Sequence, residues 1–407
     1  MMRILVVSNL YPPHTLGGYE IQCAQIVEGL RQRGHTIRVL TGNYGIDAPR
    51  VEGEIHRLLA YCPQRGQLSA WNLFQQEREA AAIVRRVLDQ FRPDAIYVWN
   101  MWTLPPSAVL ALQDSGIRVV YQIAHNWLLE GYPHDSWLHR WQPSANRWKN
   151  AARRLLHSLV RRLGVATRRS DIRPRQVIFV SQYRRDEHIQ AGLPVEQSYV
   201  VCGGLLPPRE GPLRQRTPGA PWRLVYVARY LTRAKGVLTA VQAMRRLVEQ
   251  GYHDVHLDII GAFAPDQDDY RAEVEAVAQP LTDTVRFCGP LPHDDVIARY
   301  PEYDALLFCA NYPEGLPLTV AEAMQTGLPV IGSPVGGAAE ILLSEASLTF
   351  PPDDDAALAE QIKRLHDEPG LWERLSGGAV ALVARQFSMD DALSRTEAIL
   401  AGEQEPS

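Results

Sequence analysis

Two successive runs of alternating buried strands and helices constrain the fold of this chain more than any other feature. The first run begins with the apolar segment Ile4–Val7 and a helical stretch at Ile21–Gln32. A stretch rich in proline, glycine and arginine follows at 206–221, and the alternation then restarts at Arg223–Ala228. This alternation is typical of parallel sheets with helices on both faces. The sequence therefore predicts the α/β class, with two Rossmann-like doubly wound domains facing each other across a cleft.

The restart of the pattern sets the predicted domain boundaries. We expect a first domain over 1–204, a hinge over 205–221, a second domain over 222–385, and a C-terminal helix and tail over 386–407 that crosses back to the first domain. Ligands of open α/β sheets bind beyond the carboxyl ends of the strands. The further predicted strands are Thr36–Thr41, Ala95–Trp99, Val119–Ala124, Val177–Val180, Tyr199–Cys202, His256–Gly261, Val285–Cys288, Ala305–Phe308, Val330–Ile331 and Leu348–Phe350.

The composition predicts a soluble, cytoplasmic protein. Apolar residues make up 46% of the chain and charged residues 22%, with a net charge of −4 that gives no general attraction to nucleic acid. The five cysteines are scattered without metal-ligand spacing, which favours a reducing compartment. No apolar run is long enough to span a bilayer.

One segment departs strongly from this near-neutral background. Residues 147–175 contain ten lysines and arginines and one acid, Asp171, and apolar residues recur there at helical spacing after Trp148. The pattern predicts a basic amphipathic helix. Two interpretations stay open: a helix packed on the first sheet with a solvated basic face, or a surface over Trp148–Arg169 that docks on anionic lipid at the inner face of a membrane.

Two carboxylates, Glu314 and Glu322, lie eight residues apart around a predicted helix start. Pro317 suits the first turn of a helix, and the residues from Leu318 read as helical. Backbone N–H groups from Gly315 to Thr319 should then point outward and bind an anion. A ligand that carries both phosphate and hydroxyl groups fits an anion site with a carboxylate at each end.

Arg229 and Lys235 flank a predicted loop between a strand and a helix. Arginine offers phosphate a fixed fork of donors and lysine a point charge, so together they could neutralise a departing diphosphate. Two ordinary exposed cations are the simpler interpretation of this spacing alone.

Weaker signals lie elsewhere in the chain. Gly17 and Gly18 follow the first strand and allow close approach of backbone to a ligand, although they do not form a dinucleotide fingerprint. His125 follows a strand at a carboxyl end, where a single histidine is more often structural. The aspartates at 266–268 and 353–355 have a metal-compatible pattern, but solvated turns are the simpler interpretation. Gly336-Gly337 forms a second glycine-rich turn.

In their order and spacing these motifs resemble the GT-B fold retaining glycosyltransferases of family 4, also called glycosyltransferase group 1. The most specific part is the Glu-x7-Glu motif of Glu314 and Glu322, followed by the Arg-x5-Lys-Gly loop of Arg229 and Lys235. The glycine pair Gly17-Gly18 is the third part. The resemblance covers nearly the whole chain and is weakest at 126–170.

The resemblance implies a role for each motif residue. Glu314 would bind hydroxyls of the donor sugar, helped by N–H groups at Gly315 and Leu316, and Glu322 would hold the ribose. Arg229 and Lys235 would clamp the diphosphate. The remaining implied contacts with the substrates come from the Gly17-Gly18 loop, from His125 beside the reacting sugar, and from Pro317, Leu318 and Thr319 at the helix start.

The implied reaction keeps the anomeric configuration and needs neither a cofactor nor a metal. The expected partners are a nucleotide-sugar donor, most simply a UDP-hexose, and a glycan, lipid-linked or small-molecule acceptor. Three departures from the common family pattern leave substrate preference open. Leu316-Pro317 stands where relatives have Phe-Gly, Gly203-Gly204 where they have Asn-Gly, and Phe263 where many have glycine.

Two alternatives to a transferase remain at this stage. A nucleotide-sugar epimerase of the same fold would need acid and base residues that the sequence does not reveal. A non-catalytic module that binds sugar nucleotides or membranes would have no reason to keep Glu314, Glu322, Arg229 and Lys235 together.

Overall fold

The computed structural model describes residues 1–15, 17–63, 65–131, 135–142, 147–205, 216–217 and 219–403, with the backbone alone at 147, 149, 152 and 154. The chain divides into two compact units. The first comprises Met1–Gly204 with Asp390–Ser407, and the second comprises Leu205–Met389. Most of the predicted hinge 205–221, and the end of the predicted tail, lie outside the described residues.

The first unit is built on an eight-stranded sheet in the order β3-β4-β2-β1-β5-β6-β7-β8. All neighbouring strands are parallel except the short β3, which pairs antiparallel with β4 at the edge. Its described strands are β1 Arg3–Ser8, β2 Thr36–Gly42, β3 Arg50–Glu52, β4 Ile55–Leu59, β5 Ala95–Val98, β6 Arg118–Ile123, β7 Gln176–Phe179 and β8 Gln197–Val200.

Helices that follow several of the strands cover this sheet, because the apolar face of an amphipathic helix needs a partner. The described helices are α1 Gly18–Gln32, α2 Ala70–Phe91, α3 Pro106–Gln113, α4 Ser136–His139, α5 Arg147–Arg162 and α6 Gln182–Gln190. The central strands β1 and β5 are buried almost throughout, as expected of parallel strands covered on both faces.

The second unit repeats the arrangement with a six-stranded, fully parallel sheet in the order β11-β10-β9-β12-β13-β14. Its strands are β9 Trp222–Leu231, β10 Val255–Phe263, β11 Val285–Gly289, β12 Ala305–Phe308, β13 Val330–Gly332 and β14 Ser347–Thr349. Its described helices are α7 Val237–Glu249, α8 Asp268–Ala278, α9 His293–Arg299, α10 Leu318–Gln325, α11 Asp355–Asp367 and α12 Leu371–Gln386.

The last helix, α13 Met389–Ala401, returns to the first unit, as the fold prediction required. Leu393 packs so closely on α1 that a Cβ at Gly29 would lie 2.6 Å from its side chain. Arg33 donates to the Glu397 carboxylate at 2.7 Å, and Arg395 donates to the Val200 carbonyl at 2.8 Å. These contacts fix the C-terminal helix on the sheet of the first unit.

Candidate functional site

The structure brings together two of the predicted site residues, Lys235 and Glu314. Lys235 Nζ donates to Glu314 Oε1 at 2.7 Å, although the residues are 79 positions apart in the chain. The two side chains keep 40% and 23% of their surface exposed. An ammonium and a carboxylate are therefore presented next to each other where a ligand can reach both.

The backbone at Lys235 is held in place by the neighbouring strands. Tyr226 donates its hydroxyl to the Lys235 carbonyl at 2.6 Å, and Asn311 N–H donates to the Ala234 carbonyl at 3.0 Å. Gly236 has φ +69, and a Cβ there would lie 1.9 Å from the carbonyl oxygen of Cys309. Only glycine fits this close approach, which ties the lysine loop to the end of β12.

The backbone of Glu314 is fixed by the second glycine-rich turn. Glu314 forms an isolated parallel bridge with Gly336, and Gly337 N–H donates to the Glu314 carbonyl at 2.8 Å. Gly336 has φ +61, and a Cβ there would lie 2.8 Å from both the Glu314 oxygen and the Pro313 Cβ. The sequence indicated this turn but did not connect it with Glu314, because Gly336 follows strand β13 and Glu314 follows strand β12.

Helix α10 begins at Leu318, four residues after Glu314, with Pro317 as its N-cap rather than in its first turn. Gly315 and Pro317 are buried, whereas Leu316, Leu318 and Thr319 are partly exposed. No acidic residue lies in the first turn. The N–H groups of a first turn lack intrahelical acceptors and form its positive end. The anion site at this start of α10 stays a prediction.

Glu322, one turn into α10, is held by a histidine that sequence reasoning missed. His293 Nε2 lies 2.8 Å from Glu322 Oε1, and the two side chains are 35% and 17% exposed. The hydrogen bond to Glu322 raises the pKa of His293 above its usual value. His293 starts α9, and no spacing in the sequence relates it to Glu322.

The predicted position of Arg229 in a loop is wrong. Strand β9 continues to Leu231, so Arg229 lies in the strand's exposed end, with its guanidinium 5.5 Å from the Tyr230 ring centroid. The ladder with β10 resumes after an irregularity at Gly261, and the buried Leu231 then pairs with Phe263. Among the described residues no hydrogen bond or ion pair joins Arg229 to Lys235 or Glu314.

In the first unit, the predicted residues follow the carboxyl ends of β1 and β6. Gly17 caps α1, and its N–H donates to the Glu20 carboxylate at 2.9 Å, while Gly18 begins the helix. His125 is exposed, with its ring edge-on to Trp102 at 5.1 Å between centroids. Gly17, Gly18 and His125 therefore lie where the sequence predicted them, after the ends of strands β1 and β6. Their roles in substrate binding stay predictions.

The aspartates at 353–355 have structural partners. Asp353 accepts from the Asn311 amide at 2.9 Å, Asp354 caps α11 by accepting from Ala357 N–H at 2.8 Å, and Asp355 pairs with Arg246. Over the described ranges, no three histidine, cysteine, aspartate or glutamate residues are grouped as metal ligands. No helix in the described part of the chain combines the length and apolarity needed to cross a membrane.

Comparisons with known proteins identify the family of this chain. The family model "Glycosyl transferases group 1" matches residues 213–379, and the model "Glycosyl transferase 4-like domain" matches residues 17–202. The glycogen synthase of Mycobacterium tuberculosis is 24% identical over 97% of this chain and 93% of its own. The putative colanic acid biosynthesis glycosyltransferase WcaL of Escherichia coli K12 is 31% identical over 42% of each chain.

Solved structures share the fold over their whole length. Sucrose-phosphate synthase from Thermosynechococcus elongatus superposes with a TM-score of 0.69 at 19% identity, covering 98% of each chain. Anabaena HepE in complex with UDP and glucose gives a TM-score of 0.67 at 18% identity, covering 99% of this chain and all of that one. The chain belongs to the group 1 glycosyltransferases and has their GT-B fold.

Proposed function

We propose that this transferase moves a hexose from a UDP-sugar to a hydroxyl group of a glycan, lipid-linked or small-molecule acceptor, with retention of the anomeric configuration. The observation that carries the proposal is the contact between Lys235 and Glu314. In a nucleotide-diphospho sugar the sugar is bonded directly to the terminal phosphate. A ligand of that kind needs a cation for the phosphate and a carboxylate for the sugar hydroxyls at adjacent positions, which this pair offers.

The rest of the site supports the same ligand. Glu314 binds the sugar, the start of α10 and Lys235 bind the diphosphate, and Glu322 binds the ribose, as the family resemblance implies. Arg229 adds a second positive charge, its guanidinium, on the diphosphate. The family resemblance also implies substrate contacts for Gly17, Gly18 and His125, and these roles are part of the proposal.

The chemistry needs no protein nucleophile in this proposal. The acceptor hydroxyl attacks the anomeric carbon from the face that the phosphate leaves, and the C–O bond to the phosphate breaks as the new glycosidic bond forms. The departing phosphate oxygen takes the acceptor proton. Lys235 and the N–H groups of α10 stabilise the charge that grows on the diphosphate, which is the usual source of catalysis in such a displacement. No metal ion is required.

A donor panel tests the proposal. Purified protein is mixed with UDP-, GDP- and ADP-sugars, and both the melting temperature and the release of nucleoside diphosphate are followed. A donor that binds the folded protein raises its melting temperature. We expect a UDP-sugar to give the largest rise, transfer to persist in EDTA, and NMR of the product to show the donor's anomeric configuration.

The same panel separates the alternatives. Conversion of the donor to an isomer without an acceptor would identify an epimerase, and tight donor binding without turnover on a broad acceptor panel would identify a binding module. If none of the nucleotide sugars changed the melting temperature or was consumed, the assignment of this site would be wrong.

A further inference from the structure

Helix α5, Arg147–Arg162, presents its apolar residues to solvent. The exposed fractions of these side chains run from 47% to 80%, although they are leucines and a tryptophan. We call this set the apolar stripe; it consists of Trp148, Leu155, Leu156, Leu159 and, just past the helix, Leu163. At about 100° per residue these positions fall within roughly 100° of arc, on one side of the helix.

The helix is attached to its domain through the opposite, polar side. His157 Nδ1 contacts the Thr167 hydroxyl, and Arg161 donates two hydrogen bonds to Asp114 at 2.9 and 3.2 Å. Arg153 donates to the Gln142 carbonyl at 2.5 Å. Val160, on this same side, packs against the core of the first unit. A surface helix normally buries its apolar side, so this helix is oriented the other way round.

The interpretation that α5 packs on the sheet through its apolar side is therefore wrong. The physical reason lies in the short connection after the helix. Val165 and Ala166 are fully buried, and Ala166 N–H donates to the Ser107 hydroxyl at 2.9 Å. These contacts fix the end of α5 with its hydrogen-bonding side against the domain.

Exposed positive charge follows the apolar stripe in the chain. Residues 147–175 contain ten basic residues and one acid. Arg162 is exposed at the end of α5, and Arg168, Arg169 and Arg173 are exposed in the segment that follows. Asp171, the one acid of this segment, accepts the N–H groups of Thr167 and Arg168, and among the described residues no ion pair joins it to these arginines.

The exposed apolar stripe and the positive charge near it in the chain together indicate which partner binds this surface. A second copy of the chain would bring two strongly positive segments together, and like charges repel. A bilayer with anionic lipids supplies both an apolar interior for the leucines and opposite charge for the arginines. We propose that α5 is a membrane-docking surface of the first domain, with the apolar stripe inserted into an anionic leaflet and the arginines on its phosphates.

Vesicle co-sedimentation tests this proposal. Full-length protein is spun with vesicles of phosphatidylcholine alone, or of phosphatidylcholine with about 30% phosphatidylglycerol, over a series of salt concentrations. We expect at least a tenfold preference for the anionic vesicles at low salt. This preference should fall steeply as salt is added, because salt screens exposed charges beyond about 10 Å at 0.1 M.

Matched variants show which surface binds. The double variant Leu155→Ser/Leu159→Ser should lose at least tenfold in vesicle binding and keep its melting temperature, since both side chains are exposed. Arg168→Gln/Arg169→Gln should weaken binding to anionic vesicles only. Trp71, the second residue of α2, is 63% exposed, comparable with Trp148 at 74%. Trp71→Ser is therefore the control and should bind vesicles like the unaltered protein.

A second readout does not depend on how the serine variants fold. Brominated lipids quench tryptophans that enter the bilayer, so Trp148→Phe should remove most of the quenching and Trp71→Phe should not. Equal binding to neutral and anionic vesicles, or unchanged binding by Leu155→Ser/Leu159→Ser, would overturn the proposal. So would self-association in the absence of lipid that the leucine variant abolishes, which would assign the stripe to a second copy.

Discussion

An ion-pair network in the first domain and an ion pair in the second show that paired charges can serve either stability or activity. In the first domain, Arg65 binds the carboxylates of Glu77 and Asp135, and all three side chains are at most 8% exposed. Glu77 also accepts from Ser107 N–H at 2.8 Å, which joins α2 to α3. In the second domain, Lys235 binds Glu314 in a pair that solvent reaches.

The difference lies in how many partners each charge has. Burial by itself lowers the pKa of Arg65, and the carboxylates of Glu77 and Asp135 more than offset this, so that its pKa is raised. A buried charge that is already paired with several protein groups cannot also bind a ligand. Glu314 and Lys235 have one another and open space, which suits groups that must exchange partners when a substrate binds. The first network should therefore govern stability, and the second activity.

The largest expected effect is on stability. Glu77→Ala removes the carboxylate from a buried pair and leaves Arg65 with Asp135 alone. Loss of one partner of a buried ion pair costs about 3–5 kcal/mol, which corresponds to a fall in melting temperature of about 10 °C for a domain of this size. Thermal unfolding measures it. Glu79→Ala, at an exposed position of the same helix, is the control and should melt like the unaltered protein.

The second expected effect is on activity. Glu314→Gln should lower the transfer rate by about 10²–10³-fold, the usual loss when one preorganised contact to a reacting group is removed. The melting temperature should stay the same, because the backbone of Glu314 is held by Gly336 and Gly337. Glu345→Gln, in an exposed pair with Arg385, is the matched control. A large drop in stability with unchanged turnover would place Glu314 with the structural pairs.

The third effect concerns the other member of this pair. Lys235→Ala should weaken binding of the nucleoside diphosphate by about ten- to a hundredfold, since hydrogen bonds to charged groups contribute roughly 1.5–3 kcal/mol. Calorimetric titration with UDP measures it. Lys235→Arg should restore only part of the affinity, because a planar fork does not replace a point charge. Full affinity in the alanine variant would show that Lys235 does not bind the diphosphate.

The sequence predicted more of the fold than of the contacts that hold the candidate site in place. The parallel sheets followed from apolar segments such as Ile4–Val7, because a strand buried on both faces is apolar at every position. The strands β3 and β4, at one side of the first sheet, and helix α3 were not predicted. The end of β9 was predicted wrongly at Ala228, because pairing beyond an irregularity depends on the neighbouring strand and leaves no periodic signal.

The same limit applies to the candidate site. Glu314, Glu322 and Lys235 could be predicted, since their motifs are local in the chain. The roles of Gly336 and His293 could not be predicted, because each acts on a residue that only the fold brings near. Gly336, which follows β13, contacts the carbonyl of Glu314, which follows β12. His293 reaches Glu322 from the start of another helix, α9. Residues that position a site are fixed by tertiary contacts rather than by spacing.

The smallest expected effect is the pH dependence of the pair formed by His293 and Glu322, which is partly exposed like Lys235–Glu314. The hydrogen bond raises the pKa of His293 in the folded protein. The protonated pair therefore stabilises the fold fully below the unfolded pKa of about 6.5, and this stabilisation is lost as pH rises through the higher folded pKa. Because His293 is 35% exposed, solvent screening should keep the contribution below about 1 kcal/mol.

Urea unfolding of the unaltered protein and of His293→Ala, over a range of pH, measures this contribution. The two should differ most in mildly acidic solution and converge in alkaline solution. In a Glu322→Gln background the pH-dependent effect of the substitution should be smaller, because the main cause of the raised pKa is gone and the weaker influence of Asp294 remains. If the difference in stability instead grew with pH, the histidine would act through its neutral ring. Glu322 would then not belong, with Lys235 and Glu314, to the charges that can exchange a protein partner for a ligand.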